Sequence, residues 1–357
     1  ITGSTGKKTD LLNVMADVEN SMFSRFTNEE YLLEWKYTNT FHKFTLPRLV
    51  GDDKNFDAQA VGCLSPSMKM VEMYYTENGL PIDADITWNY SNRYKLGSES
   101  SPEYEGVIPM NTSVVNLHLR REPRFYASIA GDRMYWQRGT NTAQDDYNLL
   151  VEAHKGEVPW GTQYDFIISN SWQNINGYWL KKHLFSWFQT LGYSNNLQGN
   201  ETAAIIRLAE VYLMQSEAWN EYLDQPDSRV YDPIDKVRER AGILPVREAW
   251  GSYSNNPTKV TTKVGMREII HQEYNIEFAF EGHRYWNLRR WLIAHQILNE
   301  KQYGWNVIGT TDQAFYNYET GPVVVWSSNK FVAPRDYLTP FDAEEILISG
   351  MVQNPQW

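Results

Sequence analysis

Apolar residues recur at helical spacing from Gly265 to Asn299, at Met266, Ile269, Ile270, Ile276, Phe280, Leu288, Trp291 and Leu292, with no proline between them. The same stretch carries Glu273, Glu277 and Glu281, each one turn above the last. Like charges so placed repel unless cations answer them. Arg284, Arg289 and Arg290 follow, and Arg207, Arg238 and Arg240 stand on neighbouring predicted helices, so the ladder reads as ion pairs that pin this helix to its neighbours. A pair of carboxylates could instead act as acid and base. With so many arginines at hand, the scaffold reading is the stronger. Gly282 interrupts the period at a cost of roughly 1 kcal/mol relative to alanine. It predicts close packing or a bend at Glu281-Gly282-His283-Arg284.

Upstream, Ala203 to Leu223 has the period of a strong helix, and Tyr231 to Ala241 that of a shorter one closed by Gly242, with Pro245 beyond. Helix, turn, helix, loop, helix predicts α-solenoid or tetratricopeptide-like pairing, although no strict repeat is visible. Before residue 202 the pattern is different. Leu11 to Arg25 reads as a helix and Phe41 to Val50 as extended, and Ser65-Pro66-Ser67 caps a short helix over Met68 to Thr76. Residues 86–113 and most of 131–172 read as long, ring-bearing loops, and Val323 to Trp326 as an extended piece of the tail. The expectation is a mainly α protein. A loop-rich binding lobe with short β segments would occupy 1–201, and a helical scaffold with its tail 202–357.

Composition sharpens this picture at one point. The chain holds 14 Trp, 23 Tyr and 14 Phe, many of them among Gly, Asn and Ser, where rings become exposed and exposed rings bind. The net charge of −11 argues against a nucleic-acid partner. No run is apolar for long enough to span a bilayer. Cys63 is alone and forms no internal disulfide.

Motifs for chemistry are missing. There is no Gly-rich phosphate loop and no CxxC, HExxH or GxSxG, and the histidines do not fall at metal-ligand spacings, so no catalytic residue, metal or cofactor is expected. Asp53, Asn55 and Asp57 alternate as in a calcium loop, but Ala58 and Leu64 stand where glycine and the closing glutamate are needed, which leaves a polar turn. The candidate ligand residues are Trp136 with Tyr135 and Gln137, then Trp160, Trp172 and Trp88, which pair ring faces with polar neighbours. Should these fail, Tyr90 and Tyr94 beside Trp88 come next.

Several blocks resemble the SusD/RagB family. They are Arg207-Leu208-Ala209-Glu210-Val211-Tyr212-Leu213-Met214, Val237 to Ile243, Glu277 to Trp291, and the closing Gln353-Asn354-Pro355. Pro66 to Ile82, Arg121 to Tyr126 and Gly177 to Lys182 are weaker echoes. The resemblance implies a single SusD-like domain over 1–357 with a tetratricopeptide-type scaffold. It implies a non-catalytic protein of Bacteroidetes outer membranes that captures glycans for a SusC-like, TonB-dependent transporter. Some relatives bind peptides, which gives a RagB-like alternative; a glycoside hydrolase is a more distant one. The family's N-terminal region, with its lipidated cysteine, is not found in this sequence, so membrane attachment is expected outside it. Thr339-Pro340-Phe341-Asp342 departs from the family's usual Pro-Ile-Pro pattern.

Overall fold

The Leu213, Ile269 and Ile270 side chains meet inside a helical layer, as the sequence period requires. In the computed structural model the residues described are 8–20, 23–24, 29–36, 45, 64–136, 149–157, 174–182 and 202–357. Helices up to residue 290 among the described residues are, in chain order, α1 (Lys8–Asn20), α2 (Met68–Met73), α3 (Pro123–Ser128), α4 (Leu208–Tyr222), α5 (Ser228–Arg240), α6 (Val246–Tyr253), α7 (Lys263–Glu277) and α8 (His283–Arg290), and three short ones follow, Ala294–Ile297, Asp312–Phe315 and Ala343–Ser349. The fold is mainly helical. α4 packs on α5 and α7, and its core joins Leu213, Val230, Ile234, Val237, Trp250, Met266, Ile269 and Ile270. Each such side chain contributes about 1.5–3 kcal/mol when fully buried. Ser67, Asp227 and Thr262 cap α2, α5 and α7 through their side-chain oxygens.

Two expectations are corrected. Ala203 to Arg207 does not extend the helix; Thr202–Arg207 is a strand that pairs antiparallel with Phe23–Ser24 and Tyr31–Lys36. Ile205-Ile206 suits that pleat, and the partner strands lie far away in sequence, beyond the reach of a local period. The long periodic stretch is two helices. α7 ends at Glu277, Phe280 and Gly282 adopt φ of +67° and +85°, and α8 starts at His283. Nothing lies within 4 Å of where a Gly282 side chain would begin, so this glycine serves the bend and not close packing. The turn directs Phe278 inward beneath the Arg207 guanidinium, 4.3 Å from the ring centre.

The second core brings α1, α2 and α3 together with short strands, among them Ile129–Gly131 on Tyr178–Leu180 and Tyr135–Trp136 on Leu149–Leu150. It takes Trp305, Phe315 and Tyr316 from the C-terminal part. The extended piece expected at Phe41–Val50, apart from Thr45, and the polar turn at 51–57 lie outside the described residues.

The acidic ladder joins these two bodies of packing. Glu273 meets Arg124 of α3 at 2.7 Å and Arg238 of α5 at 3.0 Å. Glu277 meets Arg124 at 3.0 Å and also Arg207 and Arg240. Glu281 meets Arg207 at 2.8 Å and Lys182 at 2.6 Å. Glu122 completes the group by accepting from Arg124 Nε at 2.7 Å. Burial alone would raise the Glu277 carboxyl, but Arg240, Arg207, Arg124 and Lys182 hold it well below the usual carboxylate range. Arg207, Arg238 and Arg240 answer the ladder as the sequence suggested. Arg284, Arg289 and Arg290 turn elsewhere, to Asn275, Tyr285 and Glu217.

Candidate functional site

α2 buries Met68, Met70 and Val71, which leaves Lys69 and Glu72, three residues apart, on its open side. Two grooves share this pair. One, of about 580 Å³, runs past Tyr94, Gln302, Tyr303 and Gly321. The other, of about 420 Å³, runs past Asp83, Tyr90, His271, Gln272 and Asn275.

Between them the Arg93 guanidinium is stacked 3.9 Å from the Tyr90 ring centre and 4.1 Å from that of Tyr94. Glu72 Oε1 fixes the stack by accepting from Arg93 Nε at 2.9 Å and from Tyr94 Oη at 2.6 Å. Burial, and then the bond to Glu72, pushes the Tyr94 phenol above its ordinary range, so it remains a neutral donor. Gly321, at φ +113°, lets the chain cross the Tyr94 ring, since a side chain there would start 2.9 Å from Cδ2. The approach to this crossing is strained. Asn317, Tyr318 and Glu319 adopt φ of +49°, +54° and +59° in succession, which costs L-residues roughly 1–2 kcal/mol each. Glu319 Oε1 accepting from Leu96 N at 3.1 Å and Asn317 Nδ2 donating to Gly321 O at 2.9 Å hold the turn. The result presents Tyr318 at 73% exposure. Strain of this kind concentrates where a side chain must be presented.

The strands Gln302–Gly304 and Val323–Trp326 form an antiparallel pair that sets Gln302 opposite Trp326 and leaves both Tyr303 and Trp326 exposed. Tyr90 is 39% and Tyr303 42% exposed, so each groove has an accessible ring beside carboxylates, amides and Lys69. Such a surface stacks on apolar C–H faces while hydrogen-bonding hydroxyls around them.

A larger cleft of about 850 Å³ lies between α4 and α8. Its carboxylates are already engaged. Glu217 is held by Arg290 at 2.7 Å and by Trp291 Nε1 at 3.0 Å, and Glu221 by Arg267 at 2.6 Å. Burial opposes the Glu217 charge, but bonds from His271, Arg290 and Trp291 bring its carboxyl down to about 2. Glu281 is also paired, as Lys69 and Glu72 of the α2 grooves are with Glu300 and Arg93.

The rings expected to bind are placed differently. Trp136 is 6% exposed and belongs to the hydrophobic core, because its short strand, paired with Leu149–Leu150, turns the ring inward. Tyr135 is half-buried beside it. Trp88 is also half-buried, packed on the core, with Nε1 donating to Leu119 O at 3.1 Å. Gln137, Trp160 and Trp172 lie outside the described residues. Asn174 is buried and holds a turn by donating to Tyr178 O at 2.6 Å. The reserve candidates Tyr90 and Tyr94 do meet at the grooves. Tyr303 and Tyr318 were missed; the Asn-Tyr-Glu-Thr-Gly run around Tyr318 was the available turn signal.

The SusD family model matches residues 22–357. The chain belongs to the SusD family. It is similar to SusD-like protein P25 of Formosa agariphila, 32% identical over 117 residues that make up 33% of this chain and 20% of that relative. It is also similar to SusD-like protein P2 of the same organism, 26% identical over 183 residues, 49% of this chain and 30% of the relative. Each match thus spans under a third of the curated relative. Among solved structures, selenomethionine BT4246 superimposes with a TM-score of 0.77 at 21% identity over 98% of this chain and 56% of that one. A SusD-like carbohydrate-binding protein of Bacteroides fragilis, BF0978, gives 0.55 at 23% identity over 90% and 54%. At such identities the likeness speaks of the fold. In this SusD-family chain the blocks that carried the resemblance include Arg207, Arg238, Arg240, Glu277 and Glu281 of the buried ion network. They mark the scaffold and say nothing of the ligand.

Proposed function

We propose that the chain belongs to a non-catalytic, cell-surface glycan-binding protein that captures oligo- or polysaccharide for a SusC-like, TonB-dependent transporter of the outer membrane. The observation that carries the glycan reading is the pairing of Tyr90 and Tyr303 across two grooves that share Lys69 and Glu72. A sugar chain laid over α2 would stack on one ring in each groove and give its hydroxyls to the carboxylates and amides between. Trp160 and Trp172 remain proposed ligand contacts. The carbohydrate-binding description of BF0978 supports this reading, as does family membership. The transporter and the lipid anchor follow from the family alone. No described helix is long and apolar enough to cross a membrane. Attachment through a lipidated N-terminal region is the part of the proposal that rests on the family.

Calorimetric screening of the chain against panels of oligosaccharides and peptides tests the ligand class. Saturable binding confined to glycans, without turnover, is expected. Binding confined to peptides would replace the glycan with a RagB-like ligand, and release of shorter sugars would make the protein a hydrolase. Co-purification of the native protein with an outer-membrane barrel tests the partner, and its recovery as a free soluble protein would refute that part.

A further inference from the structure

The charges along the two α2 grooves answer one another. Lys69, which both grooves share, is ion-paired with Glu300 of the Tyr303 groove, the two side chains being 39% and 47% exposed. Arg93 stands packed against the Tyr90 and Tyr94 rings and is fixed by all three of its nitrogens. Nε donates to Glu72 Oε1 at 2.9 Å, Nη1 to Tyr90 O at 3.1 Å and Nη2 to Tyr94 Oη at 3.0 Å, which leaves the side chain 19% exposed. His271, in the Tyr90 groove, stacks on Trp291 with ring centres 3.7 Å apart and sets Nε2 3.4 Å from Glu217 Oε1. Glu268 of the same groove is held by Lys259 at 2.8 Å. Among the described residues, the lining charges left without an ion pair are Lys301 in the Tyr303 groove and Asp83 in the Tyr90 groove, both exposed.

We propose that this surface selects uncharged glycans and that Glu300, by holding Lys69, is a residue that sets the selectivity; the proposal rests on the glycan reading given above. A uronate, sulfate or phosphate group is bound where a guanidinium fork or an ammonium is free to replace its water. Here the Arg93 guanidinium is already engaged and the Lys69 ammonium already has a carboxylate. An anionic sugar in the Tyr90 groove would also face Asp83 and Glu268. Losing water without gaining a partner costs a charged group far more than a hydroxyl. Lys301 is a single exposed cation next to Glu300 in the chain, and its attraction for an anion is weak in water. Hydroxyls both donate and accept, so they add to paired charges without breaking the pairs. Glu72 shows how: its bonds from Arg93 and Tyr94 both go to Oε1, and Oε2 can accept from a sugar hydroxyl. Tyr90 and Tyr303 in turn ask only for an apolar ring face. The net charge of −11 acts in the same direction, since it keeps anionic chains at a distance.

Calorimetry against two sets of oligosaccharides of matched length tests the selectivity. One set holds uncharged gluco-, manno- and galacto-oligosaccharides, the other oligo-uronates and sulfated galacto-oligosaccharides. The uncharged set should contain the tighter ligands, by about tenfold or more, and their affinity should change less than about twofold between low and high salt, because no net charge is matched. Glu300→Gln removes one negative charge and frees Lys69. It should raise affinity for the anionic set relative to the uncharged set roughly fivefold, the effect of one unit charge a few ångströms away in water. The gain should fade at high salt, and the melting temperature should hardly move, because the pair is exposed. Combining Glu300→Gln with Lys69→Gln should return the ratio to that of the parent. Tighter binding of the anionic set by the parent, or an unchanged ratio in Glu300→Gln, would overturn the inference while leaving the glycan reading standing. Failure of both sets to bind would refute the glycan reading itself and the selectivity with it.

Discussion

Replacing Glu277 by alanine removes the carboxylate that α3, α5 and the start of α4 share. Its side chain is 2% exposed, and it meets Arg124 at 3.0 Å as well as Arg207 and Arg240. The partners are not left equally poor. Arg124 keeps Glu122 and Glu273, and Arg207 keeps Glu281 and Glu30. Among the described residues Arg240 keeps only Glu30, at 3.6 Å, and is itself 20% exposed. Breaking a buried pair from one side costs about 3–5 kcal/mol. The surviving partners of Arg124 and Arg207 place the loss near the lower end, about 3 kcal/mol. The corresponding fall in melting temperature is on the order of 4 °C for a chain of this size. Urea unfolding of Glu277→Ala and Glu277→Gln, followed by helical circular dichroism, measures it. Gln fills the same space without the charge and should recover only part of the loss. Affinity per folded molecule should hold, since no residue of the network lines the α2 grooves. A midpoint unchanged to within about 0.5 kcal/mol, the ordinary scatter of surface substitutions, would show that the ladder carries no such weight.

Acid should act through the same network. Burial would raise the Glu281 carboxyl, but Arg207 and Lys182 bring it down to about 2 from an ordinary 4.5. The unfolded chain therefore takes up that proton first, so the group's stabilisation is complete above about pH 4.5 and disappears as pH falls toward 2. Glu122 works the other way, since burial raises it. Urea midpoints between pH 6 and 3 should fall, and less steeply in Glu281→Gln; identical slopes would refute the linkage. Trp136→Ala should cost about 3–5 kcal/mol of stability, as core ring deletions do, with glycan affinity per folded molecule preserved. Lost affinity with an unmoved melting curve would return Trp136 to the ligand face.

The helical layer was legible in the sequence because its signals are local. A three-and-four apolar period, Gly242 as a stop, and acids one turn apart can all be read without knowing what lies across the core. The ladder's arginines, Arg207 just before α4 and Arg238 and Arg240 on α5, were legible for the same reason. Arg124 and Lys182 were not, because they come from the loop-rich half, whose path no period describes. Thr202–Arg207 was misread where a distant strand partner outweighed helical spacing. Trp136 was misread because composition records that a ring stands in a polar segment but not which way a two-residue strand turns it. Tyr303 and Tyr318 owe their exposure to a paired hairpin and to a strained turn, and neither is a compositional feature.

The central claim is that the surface over α2 holds a glycan between two rings. Calorimetry of a binding oligosaccharide against the parent, Tyr90→Ala and Tyr303→Ala, each with its melting curve, tests it most directly. Loss of a stacked ring should cost about 2 kcal/mol, well over tenfold in affinity. Both rings are well exposed, so the melting temperatures should hardly move. Unchanged affinity in both variants would contradict the claim and leave Trp160 and Trp172 to carry the ligand.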